Sequence, residues 1–174
     1  IKDLAEELAQ EILIIDTHLD TPIQLYMQRN KNGFYEDITK ASSLHFDYDR
    51  AVSGGLNVPF FVIFTPHSAE EKGTAFEMAE ELIQILEDII NKNPNKFRLV
   101  KSPEEITNDK DIMQVVYGME NGAPIESELS NIKLFSDMGI NYITLAHSKS
   151  NHISDSSYDE NKNWGGLSPF GREV

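Results

Sequence analysis

Apolar positions in the first dozen residues fall at Leu4, Leu8 and Ile12, with Ala5 and Ala9 beside them. That i, i+4, i+8 spacing predicts an amphipathic helix over 2–12 with its acids on the opposite face. The period then changes. Residues 12–15 form a short apolar run that passes into Asp16-Thr17-His18-Leu19-Asp20-Thr21-Pro22, the pattern of a buried strand opening into a polar mouth. Residues 29–50 are polar and mixed and read as a long excursion. Ser53-Gly54-Gly55 then punctuates the chain before a second strand at 57–65, closed by Thr65-Pro66-His67. The clearest helix covers 74–91, where Phe76, Ala79, Leu82, Ile83, Leu86, Ile89 and Ile90 share one face. Thr74 and Glu77 have the spacing of a capping box at its start, and Asn93-Pro94 stops it.

The second half repeats the alternation. Residues 97–100 suit a short extra strand, and Ser102-Pro103-Glu104-Glu105 suits a capped short helix. A third main strand is predicted at 114–119, ending in Glu120-Asn121-Gly122. Leu129, Ile132, Phe135 and Met138 give helical spacing, with Gly139 as the terminator. A fourth strand is predicted at 142–146, running into His147-Ser148. A polar loop with Asn151, Asp155, Asp159 and Trp164 follows, and Ser168-Pro169 starts a further helical turn.

Alternating strands and helices give a parallel sheet flanked by helices. Two architectures fit: an open doubly wound sheet, and a (β/α)8 barrel, which needs eight strands and typically about 250 residues. With four main strands in 174 residues, an open sheet would leave a bare edge and uncovered apolar surface. The expectation is therefore an α/β fold of the (β/α)8 TIM-barrel type. Residues 1–174 would be one incomplete domain, roughly the first half of the barrel.

Composition narrows the chemistry. Acids outnumber bases 29 to 15, a formal net charge of −14. That balance argues against nucleic-acid and anionic-membrane partners, which need clustered Lys and Arg. The chain has no Cys, which excludes disulfides, thiolate-bound zinc and a thiol nucleophile. No apolar run approaches the roughly 20 residues of a membrane span. The first residue is Ile1, so no targeting segment can be judged, and periplasmic, secreted and cytoplasmic bacterial locations all stay open.

Ionisable residues gather at strand C-termini, the edge that carries active sites in parallel α/β folds. In His18-Leu19-Asp20, residues two apart on an extended segment point the same way, so an imidazole and a carboxylate converge. Alone, the triplet reads more readily as a hydrogen-bonded pair without metal, because such triplets arise by chance. Joined by Glu120 from another strand end, it reads as a metal site, with the carboxylate able to bridge two ions. His147 suits metal ligation, donation to a substrate carbonyl or developing oxyanion, or, about as well, the structural role of a core-edge histidine satisfied by backbone. Asp16 reads equally as a residue that orients His18 and as a strand-end cap. His45 and His67 sit in loop-like stretches and read as structural, while His152 stays open between the two readings. Ser148 lacks the GxSxG context of a serine nucleophile.

Four segments together, Asp16–Pro22, Gly118-Met119-Glu120-Asn121-Gly122, Tyr142-Ile143-Thr144-Leu145-Ala146-His147-Ser148 and Gly166-Leu167-Ser168-Pro169-Phe170-Gly171, resemble the renal (membrane) dipeptidase family of zinc peptidases, in that family's order. The resemblance implies a (β/α)8 barrel with two zinc ions per complete site. It implies His18 and Asp20 on the first zinc, Glu120 bridging both, and His147 contacting substrate and stabilising the oxyanion. Asn151 and Asp155 fall in its substrate-side loop. The family often has Gly-Gly-His after the bridging Glu, where this chain has Asn121-Gly122-Ala123. The family's two other zinc histidines and its substrate-carboxylate arginine lie beyond the equivalent of Val174.

The implied activity is zinc-dependent hydrolysis of dipeptides by hydroxide held between two metal ions. This chain would carry part of the site, be inactive by itself and need the C-terminal half of the barrel. Family members tend to dimerise, so a homodimer is an expectation. Two other readings remain. One is another amidohydrolase-like or phosphoesterase metal hydrolase, although these often carry His-x-His. The other is a non-catalytic peptide-binding domain.

Overall fold

In the computed structural model, which describes residues 2–174, the chain opens with helix α1 (Lys2–Glu11) and strand β1 (Ile14–Leu19). The first strand begins later than its apolar run suggests. Ile12 donates its backbone N–H to Leu8 O and completes the last turn of α1, so the extended segment runs through His18 instead. Helix α2 (Thr21–Asn32) follows, and its last turn runs into the 29–50 stretch read as an excursion. Its ends carry ordinary signals: Pro22 in the first turn, and Gly33 at φ 80° as the left-handed C-cap. Its core face is short, with only Thr21, Pro22 and Leu25 buried.

Helix α3 (Tyr48–Ser53) starts at Asp47, whose side chain accepts from Arg50 N, and leads into β2 (Leu56–Phe64). Helix α4 (His67–Glu71) and the long α5 (Ala75–Lys92) come next. Thr74 does not form the expected capping box: its hydroxyl instead donates to Ala69 O at 3.4 Å, tying α5 to α4. Strand β3 (Phe97–Leu99) is followed by the expected short helix, a 3-10 turn at Pro103–Glu105. Strand β4 (Met113–Glu120), helix α6 (Ser130–Asp137) and strand β5 (Ile140–Thr144) complete the regular elements before a closing 3-10 turn at Phe170–Arg172. Strand β5 lies two residues earlier than its apolar pattern suggests, because Leu145 turns its carbonyl out of the ladder to accept from Gly122 N and Asn151 Nδ2.

All paired strands are parallel, and β1, β2, β4 and β5 lie side by side in chain order. β3 pairs with the first half of β4, next to β5. A doubly wound sheet reverses direction at a switch point. This one advances one way throughout, which is how a barrel is laid down. The topology thus resolves the two architectures in favour of the first strands of a (β/α)8 barrel.

The two sheet faces differ. Phe61, Ile63, Tyr117 and Met119 point toward the helices and join Leu82, Ile83, Ile85 and Leu86 of α5 in the main core. A buried Leu or Ile is worth roughly 1.5–3 kcal/mol over leaving it exposed, so α5 is the chief fastener of this layer. The opposite, concave face carries Val58, Phe60 and Val116. Gly118 sits on that face because the Tyr142 ring crosses it: a Cβ at Gly118 would lie 2.2 Å from the ring.

Candidate metal centre

Parallel pairing sends every strand C-terminus to one rim, and the registers Phe64↔Glu120 and Glu120↔Thr144 align those ends. Glu120 is the last residue of β4 and shares the parity of Val116 and Gly118, so its side chain rises from the concave face. His18 is the penultimate residue of β1. Asp20 lies just past that strand, at the N-cap position of α2, where its carboxylate makes no cap hydrogen bond.

These three side chains converge. His18 Nε2 is 3.5 Å from Asp20 Oδ1 and 3.4 Å from Glu120 Oε2. One ligand atom from each lies within 4.8 Å of the others, a grouping that could hold a metal ion. The other oxygen of Glu120 faces elsewhere: Oε1 is 3.6 Å from His147 Nε2. Glu120 therefore presents its two oxygens to two different imidazoles. Its own side chain is 18% exposed, against 47% for His18 and 52% for Asp20, so the rim narrows toward Glu120.

His147 lies three residues past the end of β5, rather than at a strand terminus. The Phe64 ring packs edge-on against its imidazole at 5.0 Å between centroids. A cavity of about 510 Å³ opens beside Glu120 and His147, walled by Thr144, Ser154, Asp155, Ser156 and Tyr158. Below it, Tyr142 stacks on Phe60 and reaches Thr17 O with its hydroxyl at 3.4 Å. Burial, with the Glu120 and Asp20 carboxylates nearby, pushes the Tyr142 phenol above its usual range.

Asp16 accepts from the backbone N–H of His18 at 3.1 Å, so it orients the main chain and not the imidazole. Asp155 lines the cavity, but its oxygens accept from the backbone N–H groups of Asn163, Trp164 and Gly166. Those bonds outweigh burial and hold its carboxyl below the usual range. Asn151 is buried away from the cavity wall. Its amide donates to Asn121 and Leu145 O and accepts from the N–H groups of Ile153 and Ser154. Every hydrogen-bonding position of Asn151 is thus occupied within the protein, and it has no group left to face a substrate.

A second polar cluster was not legible in the sequence. His152 Nδ1 lies 3.0 Å from Glu70 Oε1, and His67 Nδ1 lies 3.4 Å from Glu70 Oε2. A carboxylate only accepts, so Nδ1 of His152 carries the proton. Burial pushes Glu70 up, but the bonds from His152 prevail and hold it below the usual carboxylate range. This pair fastens the loop after β5 to α4. The only sequence signal was the i, i+3 spacing of His67 and Glu70, which does not reveal the third member 82 residues away.

A parallel α/β rim that gathers one imidazole and two carboxylates defines a candidate metallohydrolase site. The pattern described as Membrane dipeptidase (Peptidase family M19) matches residues 2–174, and the chain belongs to that family. Among curated relatives, human Dipeptidase 3 is 26% identical over 180 residues, covering 100% of this chain and 36% of the human protein. Dipeptidase ataJ of Aspergillus terreus is 23% identical over 170 residues, covering 89% of this chain and 40% of its own length. Among solved structures, the probable dipeptidase PvdM of Pseudomonas aeruginosa superposes with a TM-score of 0.82 at 22% identity, over 98% of this chain and 45% of that one. A metallo peptidase from Rhodobacter sphaeroides, liganded with a phosphinate mimic of the dipeptide L-Ala-D-Ala, gives 0.74 at 18% identity, over 93% and 54%. The chain therefore spans well under half the length of these curated relatives.

Proposed function

We propose that this chain contributes the first half of the active site of a zinc-dependent dipeptidase. The carrying observation is the convergence of His18, Asp20 and Glu120 at the strand rim, with the second oxygen of Glu120 turned to His147. Imidazole plus carboxylates is a donor set suited to zinc, and three such groups on a partly exposed rim fit an ion without displacing packed core. His18 and Asp20 would hold one zinc, and Glu120 would bridge it to a second. Zinc bound there would supply Lewis acidity, lowering the pKa of a water toward about 7 and polarising a carbonyl.

The chain's own residues do the rest. His147, braced by Phe64, offers an N–H toward the carbonyl oxygen of the scissile amide and stabilises charge that develops on it. The 510 Å³ cavity beside it is large enough for a dipeptide and carries serine hydroxyls on its wall. Asp155 acts by shaping that wall through its backbone bonds. The phosphinate bound to the Rhodobacter neighbour has a tetrahedral phosphorus, the shape of a carbonyl carbon during attack, which supports the hydrolytic reading. The further zinc ligands would belong to the part of the relatives' length that this chain does not span.

Dipeptide hydrolysis tests the proposal. The protein extended to the full length of its relatives should cleave dipeptides, lose activity to a chelator and regain it with zinc. Residues 1–174 with zinc should not turn over. Chelator-insensitive cleavage, preferred cleavage of phosphate esters, or rapid turnover by residues 1–174 would each contradict it.

A further inference from the structure

Among the described residues the Glu120 carboxylate makes ion-pair contacts with two imidazoles, those of His18 and His147, and accepts no hydrogen bond from a backbone N–H. No N–H of its own neighbourhood orients it, so its direction is set by the backbone that carries it. That backbone is the last residue of a strand, just where ladder pairing stops. Something must keep this end from fraying.

We propose that Asn121, acting with Asn151, is the positioning residue that fixes Glu120 relative to His147. The inference rests on the metal-site reading above and deepens it. Asn121 has φ 76°, in the left-handed region where Gly is at ease and Asn is among the few other residues tolerated. It is 3% exposed. Its Nδ2 donates to Thr65 O at 2.8 Å, at the end of β2, and its Oδ1 accepts from Asn151 Nδ2 at 2.9 Å. Asn151 Nδ2 also donates to Leu145 O at 2.7 Å, two residues before His147. Thr65 N donates back to Glu120 O at 3.3 Å, and Gly122 N to Leu145 O at 3.2 Å.

The two amides thus knit the ends of β2, β4 and β5 immediately on either side of the Glu120–His147 contact. Glycine at position 121 would allow the same turn but could tie nothing. Asparagine supplies both the backbone conformation and the tie.

Asn121→Gly removes the amide without straining the backbone, and Asn151→Ala removes its partner. Gln114→Ala is the control: it disrupts another fully buried amide on β4, at the opposite end of the strand. Two quantities are read well below the unfolding midpoint: the NMR signals of the His147 ring in metal-free protein, and zinc affinity by titration. Asn121→Gly and Asn151→Ala should each shift the His147 signals and lower zinc affinity about 10-fold, the scale of loss seen when groups behind a metal ligand are removed. The double variant should lose less than the two single losses combined, because the Asn121–Asn151 bond is common to both. Gln114→Ala should lower stability and leave both readouts unchanged. Unmoved His147 signals in Asn121→Gly, or shifts no larger than those in the control, overturn the proposal. Shifted signals in a protein that binds no zinc support the positioning role and refute the metal reading.

Discussion

Nε2 of His18 lies 3.4 Å from Oε2 of Glu120 although their strands do not touch. β2 pairs with both and separates them. Strands once removed stand roughly 9–10 Å apart in the hydrogen-bonding direction, so the two side chains close that gap by leaning inward over the concave face. Elements widely separated in sequence thereby deliver donors to one point.

Asp20 and Glu120 are carboxylates held near each other without an intervening hydrogen-bond donor other than an imidazole. Such an arrangement serves a cation better than it serves the fold. Glu120→Gln should therefore leave the metal-free protein as stable as the parent, or slightly more stable, within about 0.5 kcal/mol. Zinc affinity should fall by more than the roughly 10–100-fold typical of removing an outer partner. Urea denaturation and zinc titration of the same variant check both halves.

Gly118→Ala places a Cβ against the Tyr142 ring, whose nearest atoms would stand 2.2 Å away. The ring is held by Phe60 and by its hydroxyl contact with Thr17 O, so it cannot simply swing clear. The expected cost is about 1–3 kcal/mol by overpacking. Combining it with Tyr142→Ala should recover part of that loss, a non-additivity that chemical denaturation of the four proteins would measure.

Backbone N–H groups of Ser150 and Asn161 hold the Asp159 carboxyl down at about 2, and Asp155 is depressed as well. A carboxyl lowered on folding adds stability that is fully present above its unfolded value, near 3.9, and is lost as pH falls through its folded value. The loop after β5 should therefore loosen as pH drops from about 4 to about 2. Trp164 is the only tryptophan in the chain, and its Nε1–H donates to Asn151 O within this loop. Its fluorescence should change over that window in the parent. The double variant Asp155→Asn, Asp159→Asn should show the loosened signal at neutral pH and no transition.

The His152–Glu70 pair is partly buried, at 25% and 21% side-chain exposure, whereas Lys133–Asp137 is at 79% and 63%. His152→Ala removes a charge-assisted bond to a partly buried carboxylate that keeps His67 and the residue-152 backbone N–H, so it should cost about 1–3 kcal/mol. Lys133→Ala should cost less than about 1 kcal/mol. Thermal or urea unfolding of the two variants gives the comparison.

The sequence revealed most where periodicity is strong. The apolar face of α5 and the continuous runs of β2 and β4 announce helix and buried strands, and their alternation carries the barrel reading. It revealed less where burial is slight. Helix α2 buries only its first turn and Leu25, so its polar last turn resembled an irregular loop, although Pro22 and Gly33 marked both ends. Strands β1 and β5 slipped by two residues because hydrogen bonds from outside the ladder, at Ile12 and Leu145, decided where they begin and stop. The convergence of His18 and Glu120 was legible because parallel order sends both strand ends to one rim, whereas Asp20 joins them from the N-cap of α2, past the strand, where the i, i+2 parity no longer applies. The employment of Asn151 and Asp155 in loop architecture was not legible, because it depends on which backbone N–H groups fold back onto them.

Anomalous X-ray scattering at the zinc edge, from crystals of the protein soaked in zinc, tests the central claim most directly. The account predicts a peak between His18, Asp20 and Glu120, with ligand atoms at about 2.0–2.2 Å. A peak at His67, Glu70 and His152 with none at the strand rim, or zinc-soaked crystals with His18 and Glu120 turned apart, would contradict it.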